Sequence, residues 1–246
     1  SIGTTGAAVL CSEAVLRSGA GLVSLFADEN IYPVLASMSS SVMCRPWNSA
    51  SRESWSPSGF SAVLAGPGWG RSEDRLSRLQ EIVSSGLPGV LDADGLYHLK
   101  RLSEGEGRLP NLEGWILTPH PGEFSALTGI PKSEILDNPL DACRKFASRT
   151  NCVIVLKGHV TLITSPDGKV RIHDGMNPAL GTAGSGDVLA GIITGLLARN
   201  LSPVDAATAG VEIHGLIGRR ALGEIGCFTS QDLLRFISGE ARCNER

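Results

Sequence analysis

The sequence predicts one three-layer α/β domain, with a mostly parallel central sheet and helices on both faces. Short apolar runs alternate with longer segments of helical periodicity along nearly the whole chain. Strands that are connected by crossover helices pair in parallel, and helices cover both faces of such a sheet. No composition break and no internal repeat divides the 246 residues, so a single domain over residues 1–246 is expected.

The strands are predicted where short apolar or β-branched runs are bounded by Gly, Pro or polar residues. In chain order they are Leu22–Ala27, Ala62–Ala65, Gly89–Leu91, Trp115–Leu117, Val153–Leu156, Val160–Thr164 and Val170–His173. The turn sequence Ser165–Gly168 separates the last two runs. It predicts an antiparallel hairpin on the otherwise parallel sheet.

The helices are predicted where apolar residues recur every three or four positions. They are Ala7–Ser18, Asp74–Ser84, Glu123–Leu127, Asp141–Arg149, Asp187–Arg199, Pro203–Leu222 and Ser230–Ile237. The segment Arg45–Gly59 is rich in Ser, Pro and Trp and is expected to be a surface loop.

Composition excludes several classes of protein. A formal net charge of −3 gives no electrostatic basis for a nucleic-acid or anionic-membrane partner. No stretch reaches the roughly 18 apolar residues of a membrane-spanning helix, and Gly6–Ala27 carries Glu13 and Arg17 within it, unlike a signal peptide. Six scattered cysteines without a Cys-x-x-Cys pair are typical of reduced thiols in a cytoplasmic protein. The five histidines do not cluster with them at zinc-ligand spacing.

The 30 glycines are the main deviation in composition, and one group of them is informative. The stretch Gly181–Asp187 runs directly into an apolar helix. Small residues let backbone N–H groups approach an anion, and the helix directs its positive end to the same place. We therefore predict an anion cradle with Asp187 as a catalytic carboxylate. The alternative is that Asp187 is only a helix N-terminal charge favoured by the dipole; a P-loop is excluded because no Gly-Lys-Ser/Thr follows.

Two further loops follow predicted strands, at the sheet edge where ligands collect in α/β folds. Gly66–Gly70 lies between a strand and a helix, and it is either a ligand loop or a tight turn. Asp92 and Asp94 form a carboxylate pair that could face magnesium or a sugar hydroxyl. Equally, one of these aspartates could cap a helix N-terminus.

Two other segments carry polar groups to the same edge. His120 stands between two prolines in Thr118–Glu123, so it cannot easily lie inside a regular core element, and we predict that it touches a ligand. Lys157 ends an all-apolar strand, where an ammonium group needs an anion, a carboxylate or a water-filled cleft. Phosphate is a plausible partner for it.

Together these motifs resemble the ADP- or ATP-dependent NAD(P)H-hydrate dehydratases of the ribokinase-like superfamily. The resemblance extends from Ser1 to about Phe236, and Thr118–Glu123 is its most specific block. Its five blocks are Gly6–Ala8 with Arg17–Gly21, then Gly66–Gly70, Leu117–Glu123, Leu156–Thr161 and Asn177–Gly191. The chain departs from the family pattern at Gly95, Tyr97, Gly181, Ala183, Ser185 and Arg219.

The resemblance implies a ribokinase-like fold and the dehydration of hydrated NADH or NADPH, with ADP favoured over ATP. Asp187 would take the proton of the ring hydroxyl as that oxygen attacks the terminal phosphoryl group, and N–H groups of Gly184–Gly186 would stabilise the developing charge. The implied nucleotide contacts are Lys157, Gly158, His159, Val160, Thr161, Gly184, Ser185 and Gly186. The implied contacts to the hydrate are Ala7, Gly68, Gly70, His120 and Asp187. Glu123 would hold Mg²⁺ through water.

The resemblance also implies features beyond the site. The family's first strand would precede Ser1, an epimerase domain could be fused to the chain, and the protein would be a homotetramer. Two other functions stay open. One is a kinase of the same superfamily that acts on a vitamin-precursor alcohol of the hydroxymethylpyrimidine or thiazole type. The other is a nucleotide-sensing module without catalysis.

Overall fold

The computed structural model describes residues 1–47, 55–107, 109–175 and 177–240. The strands are β1 (Ser24–Asp28), β2 (Met43–Trp47), β3 (Val63–Ala65), β4 (Gly89–Leu91), β5 (Trp115–Leu117), β6 (Val153–Leu156), β7 (Val160–Thr164) and β8 (Val170–Asp174). The helices are α1 (Thr5–Arg17), α2 (Tyr32–Met38), α3 (Asp74–Val83), α4 (Asp94–Glu106), α5 (Pro121–Thr128), α6 (Lys132–Asp137), α7 (Pro139–Thr150), α8 (Ser185–Ala198), α9 (Pro203–Ile225) and α10 (Ser230–Glu240). A short 3-10 helix at Pro178–Gly181 precedes α8.

The strands form two sheets. Strands β3 to β8 make a six-stranded sheet in sequential order, while β1 and β2 pair separately and in parallel. Within the larger sheet β3 to β6 are parallel, and β7 runs antiparallel to both β6 and β8. The predicted hairpin on a parallel sheet is therefore confirmed.

Buried side chains form two clusters, each packed under its own set of helices. One cluster joins α8, α9 and α10 to the sheet, and Val188, Ile192 and Ile217 belong to it. The other joins α3 to α7 to the sheet, and it contains Leu99 and Phe124. Helices thus cover both faces, as the prediction of three layers requires.

The 3-10 helix and four of the α-helices and β-strands were not predicted from the sequence. These four are α2, β2, α4 and α6. The interpretation of Arg45–Gly59 as a surface loop is wrong at its start, because residues 45–47 belong to β2 and pair with β1. Pro46 is tolerated there because β2 is an edge strand, where a missing N–H leaves no gap in the ladder. The rest of the predicted loop includes residues 48–54, which lie outside the described part of the chain.

Helix α8 is buried along most of its length and packs closely against α1. A Cβ added at Gly191 would lie 2.5 Å from the Cys11 carbonyl oxygen and 2.6 Å from the Ala14 Cβ. A Cβ added at Gly195 would lie 2.6 Å from the Ser18 Cβ. The two glycines therefore allow the helices to approach more closely than any side chain would permit.

None of the helices among the described residues has both the length and the apolarity to cross a membrane.

The close packing of α8 predicts opposite effects for two Gly→Ala substitutions. Gly191→Ala should lower the free energy of unfolding by about 1–3 kcal/mol, because the added methyl group overpacks the contact with α1. Gly223→Ala should raise it by about 0.5–1 kcal/mol, because Gly223 lies in α9 with no atom within 4 Å of the added methyl group. Urea unfolding of both variants measures the difference. A stabilised Gly191→Ala variant would contradict this account of the interface.

Candidate active site at the carboxyl edge of the sheet

Four strand ends bring the predicted site residues to one edge of the sheet. Strands β3 to β6 run in the same direction, so the segments that follow them leave the sheet side by side. Those segments are residues 66–70, 92–94, 118–123 and 157–159. Ligands of open α/β sheets bind at this carboxyl edge.

Lys157 and Asp92 form an ion pair across the end of β5. The Lys157 Nζ lies 2.8 Å from Asp92 Oδ1 and 3.9 Å from Glu123 Oε2. The Lys157 backbone N–H donates to the Pro119 carbonyl at 2.8 Å, which fixes the end of β6 against the segment after β5. Burial lowers the pKa of Lys157, but the nearby carboxylates of Asp92 and Glu123 outweigh burial and the pKa is raised. Lys157 therefore carries its charge inside the site.

The glycine-rich loop places the start of α8 beside this ion pair. Gly184 has a φ of +87°, in the left-handed region, and α8 begins at the next residue. Ser185 is committed to the loop, since its hydroxyl donates to the Leu180 carbonyl at 2.5 Å and its N–H donates to the Thr182 carbonyl at 3.2 Å. The N–H groups of Gly186 and Asp187 lie in the first helical turn, where no intrahelical acceptor exists. Of the amides in the predicted anion cradle, the Ser185 N–H is thus already bonded within the loop, whereas those of Gly186 and Asp187 have no acceptor in the helix.

Asp187 is a carboxylate in an environment that disfavours its charge. Burial raises its pKa, and the charges of Asp92 and Glu123 raise it further, while Lys157 opposes them. The result is a pKa of about 6. Cys11 of α1 lies near Asp187. Burial, together with the charge of Asp187, raises the pKa of its thiol to about 12. A carboxyl group with a pKa near neutrality in a polar cleft can act as a general base.

His120 and Glu123 form a reciprocal cap at the start of α5. The His120 Nδ1 accepts hydrogen bonds from the N–H groups of Gly122 and Glu123, at 3.0 and 3.2 Å. The Glu123 Oε2 accepts from the His120 N–H at 2.9 Å. The His120 side chain remains 56% exposed, so its contact with a ligand stays a prediction. The capping role was not predicted from the sequence, although a helix start three residues before a glutamate is its usual signal.

The loop of residues 66–70 contacts both α1 and the segment after β4. A Cβ added at Gly66, which has a φ of +120°, would lie 1.9 Å from the Asp92 carbonyl oxygen, so only glycine fits there. A Cβ added at Gly68 would lie 3.5 Å from the Ala7 Cβ, which puts these two predicted substrate contacts side by side. The Gly70 N–H donates to Asp94 Oδ2 at 2.8 Å. Asp94 therefore holds this loop, and neither aspartate caps α4, whose N-cap is Ala93.

The remaining predicted nucleotide contacts follow Lys157 directly. Gly158 and His159 are exposed in the turn after β6, and Val160 and Thr161 begin β7. In the ladder they pair with Asp174 and His173 of β8. The segment therefore continues the candidate site along the sheet edge.

A divalent cation finds no direct cage in the part of the chain that the structure describes. No group of three or more His, Cys, Asp or Glu side chains there could hold a metal ion. The Glu123 Oε2 is already used by the His120 N–H and lies near the Lys157 Nζ. The residues thus fit only a metal that keeps most of its water and is carried in by phosphates, as Mg²⁺ often is.

The sequence of nearly the whole chain matches a known family. The profile of the NAD(P)H-hydrate dehydratase family matches residues 1–238. The chain belongs to this family. The fold is ribokinase-like, as the resemblance implied.

Individual relatives agree with the family match. The chain is 35% identical to the bifunctional NAD(P)H-hydrate repair enzyme of Moorella thermoacetica, over 96% of this chain and 46% of that protein. It is 33% identical to the ADP-dependent (S)-NAD(P)H-hydrate dehydratase of Bacillus subtilis, over 85% of this chain and 74% of that protein. The crystal structure of the ADP/ATP-dependent NAD(P)H-hydrate dehydratase from Bacillus subtilis, co-crystallised with ATP/Mg²⁺ and soaked with CoA, superposes with a TM-score of 0.83 at 29% identity. It covers 98% of this chain and 89% of that one. The chain spans only about half the length of its bifunctional relatives.

The raised pKa of Asp187 predicts a pH-dependent cost to stability. Its pKa is about 6 in the folded protein and 3.8 ordinarily. Between these values the folded state keeps a proton that the unfolded chain releases, so the free energy of unfolding falls as the pH rises. Allowing for solvent screening of a partly exposed group, Asp187→Asn should raise the free energy of unfolding at pH 7 by about 1–2 kcal/mol.

Urea unfolding at several pH values measures this effect. The difference between wild type and Asp187→Asn should shrink towards zero as the pH falls to about 4. A difference that is the same at every pH would show that the carboxylate is not destabilised by its surroundings.

Proposed function

We propose that this protein dehydrates hydrated NADH or NADPH at the expense of a nucleotide, with ADP preferred to ATP. The single observation that carries the proposal is Asp187, a carboxyl group with a pKa of about 6. It lies in the first turn of α8, next to the ammonium group of Lys157. A base beside an anion site is what phosphoryl transfer to a hydroxyl requires. The preference for ADP is supported by the relative from Bacillus subtilis that is named ADP-dependent.

The nucleotide binds with its terminal phosphate at the start of α8. Lys157 and the first-turn amides of Gly186 and Asp187 supply positive charge and donors there. The segment 158–161 follows the rest of the nucleotide along the sheet edge, together with Gly184 and Ser185 of the loop. Ser185 acts through the shape of the loop, since its hydroxyl and N–H are bonded within it.

The hydrate occupies the side of Asp187 that faces the loop of residues 66–70. Ala7, Gly68, Gly70 and His120 line this part of the site in the proposal. The proximity of Ala7 to Gly68 supports it, because a Cβ at Gly68 would lie 3.5 Å from the Ala7 Cβ and the two proposed contacts are then neighbours.

The reaction proceeds in two stages. In the first, Asp187 accepts the proton of the ring hydroxyl while the hydroxyl oxygen attacks the terminal phosphorus, and AMP leaves when ADP is the donor. The amides at the start of α8 stabilise the charge that develops on the phosphoryl oxygens. In the second, phosphate leaves with the electron pair of the ring C–O bond and the adjacent ring carbon loses a proton. The dihydronicotinamide ring is thereby restored.

Mg²⁺ accompanies the nucleotide in this proposal. When bound, it would neutralise phosphate charge, and Glu123 would contact it only through water. The residues of the chain carry out the proton transfer and the orientation of both substrates, and these do not depend on a direct metal ligand.

The domain is completed by one more strand in this proposal. A cavity of about 750 Å³ lies between the two sheets and is lined by residues 22–27 of β1 and its approach and by residues 60–64 at β3. Among the described residues, β1 pairs only with β2 and β3 only with β4, so both strands present a free edge to the cavity. The backbone nitrogen of Ser1 contacts the Gly68 carbonyl just beyond β3. A parallel strand that leads into Ser1 would fill the cavity, and α1 would then cross over to β1.

The oligomeric state, a fused domain and the cellular compartment are also part of this proposal. A homotetramer is supported by the apolar side chains of Ile172, Leu216, Leu222 and Ile225, which are exposed on β8 and α9. A fused epimerase domain is supported by the greater length of the bifunctional relatives. A cytoplasmic setting is supported by the free thiols of the described cysteines.

If the protein has the proposed activity, it should convert hydrated NADH or NADPH back to the reduced nicotinamide. Purified full-length protein is incubated with hydrated NADH or NADPH, Mg²⁺ and either ADP or ATP, and the absorbance of the reduced ring is followed. Asp187→Asn should lower kcat by about 10²–10⁴-fold, because it removes the proton acceptor. Calorimetry should show that this variant still binds ADP.

Other outcomes separate the alternatives. Phosphorylation of a hydroxymethylpyrimidine or thiazole alcohol, without action on the hydrate, would make the protein a kinase of the same superfamily. Nucleotide binding without turnover of either substrate would make it a sensing module. Full activity in Asp187→Asn would remove this residue as the base.

A further inference from the structure

Among the described residues, the nearest charged partner of Lys157 is Asp92, and that partner is buried. Asp92 is 3% exposed and its Oδ1 lies 2.8 Å from the Lys157 Nζ. The two residues end β4 and β6, the strands on either side of β5. Buried charges of this kind persist when each is paired, and removal of one leaves the other uncompensated. The pair therefore fixes the ammonium group above the end of the sheet.

The ammonium group also stands at the wrong end of a helix for a cation. A Cβ added at Gly186, in the first turn of α8, would lie 3.4 Å from the Lys157 Nζ and 3.8 Å from Asp92 Oδ2. Helix N-termini carry partial positive charge, so they stabilise anions and not cations. The Asp92 carboxylate therefore compensates the positive charge of Lys157, which the helix N-terminus cannot do.

A phosphate group at this position would compensate both the Lys157 ammonium group and the partial positive charge of the α8 N-terminus. It would accept hydrogen bonds from the first-turn amides and a charge-assisted bond from Lys157. It would then compete with Asp92 for the same ammonium group. Glu123 is a weaker competitor, since its Oε2 is 3.9 Å away and is held by the His120 N–H.

We propose that Asp92 is a positioning residue, which holds Lys157 at the start of α8 through their ion pair. When the nucleotide binds, this ion pair breaks and Lys157 pairs with the terminal phosphate instead. The inference rests on the proposed function, because it takes the nucleotide from there. No covalent bond changes in this exchange. Lys157 replaces a carboxylate partner with a phosphate partner while its position in the site is kept.

The exchange has a consequence for Asp187. Asp92 raises the pKa of Asp187 and Lys157 lowers it. When Lys157 turns to the phosphate, Asp92 remains beside Asp187 without its counter-ion. Nucleotide binding thereby strengthens Asp187 as a proton acceptor at the moment when the hydroxyl is to be deprotonated.

Asp92→Asn tests the exchange through nucleotide affinity. Calorimetry on the full-length protein should show ADP binding about three- to tenfold more tightly, because Asp92 no longer competes for Lys157. The KM for ADP should fall with the tighter binding, and kcat should fall because Asp187 loses the neighbouring Asp92 charge that raises its pKa. Asp141→Asn is the matched control, because Asp141 pairs with Lys145 at 2.7 Å on the exposed surface of α7. Its affinity for ADP should equal that of the wild type.

A purely structural role for Asp92 gives a different result. Unchanged or weaker ADP binding in a folded Asp92→Asn protein would overturn the exchange. If neither ADP nor ATP binds to the wild type, the proposed function fails and this inference fails with it. If the wild type binds ADP, only the role of Asp92 is in question.

A second comparison covers the case in which Asp92→Asn does not fold. Lys157→Met should weaken ADP binding, because Asp92 then repels the phosphate without compensation. The double variant Asp92→Asn/Lys157→Met has neither charge and should recover at least about threefold of that lost affinity. An affinity equal to that of Lys157→Met would overturn the proposal.

Discussion

The close contact between α8 and α1 decides where the charged groups of the site meet. Gly191 and Gly195 let the two helices approach to a distance that any side chain would prevent. The N-terminus of α8 is thereby fixed next to the ends of β4 and β6. Asp187, the first-turn amides and Lys157 then share one small volume. The chemistry proposed for the site depends on this placement, because each group is ordinary by itself.

The site concentrates charge at a cost to the fold. The carboxylates of Asp92, Glu123 and Asp187 surround the single ammonium group of Lys157. Such an arrangement is unfavourable in a partly buried environment, and it persists because the surrounding core holds it. Functional sites commonly combine perturbed titration with locally reduced stability. The perturbed electrostatics therefore indicate a functional site at this edge of the sheet, and the family match, which rests on sequence alone, is independent support for it.

Much of the fold could be predicted from short buried runs of sequence. β4, β5, β6 and β7 have the bounds that their apolar residues indicated. β2 was missed because Arg45 and Pro46 interrupt the apolar run that would indicate a strand. Its pairing with β1 is also not visible in the local sequence. α4 was missed although Leu96, Leu99 and Leu102 are buried at helical spacing, since Gly95 and charged neighbours obscured the pattern.

The site was predictable only in part, for a related reason. An apolar strand ending in Lys157 indicated that an anion or a carboxylate must lie nearby, but its partner depends on the order of β4, β5 and β6 in the sheet. Strand order is a long-range property that no local pattern of residues contains. The same holds for the raised pKa of Asp187, which comes from burial and from the charges of Asp92 and Glu123 on two other segments.

The cap at the start of α5 restricts what His120 can offer to a ligand. Since its Nδ1 accepts two backbone N–H groups, the neutral ring must carry its hydrogen on Nε2. The neutral imidazole is therefore held in one tautomer, with a hydrogen-bond donor at Nε2, which lies 3.6 Å from Glu123 Oε2. An oxygen such as that of a carboxamide would be recognised by it, whereas an N–H group would not. A residue that caps a helix thus also has the hydrogen-bonding character of its exposed ring nitrogen fixed by that cap.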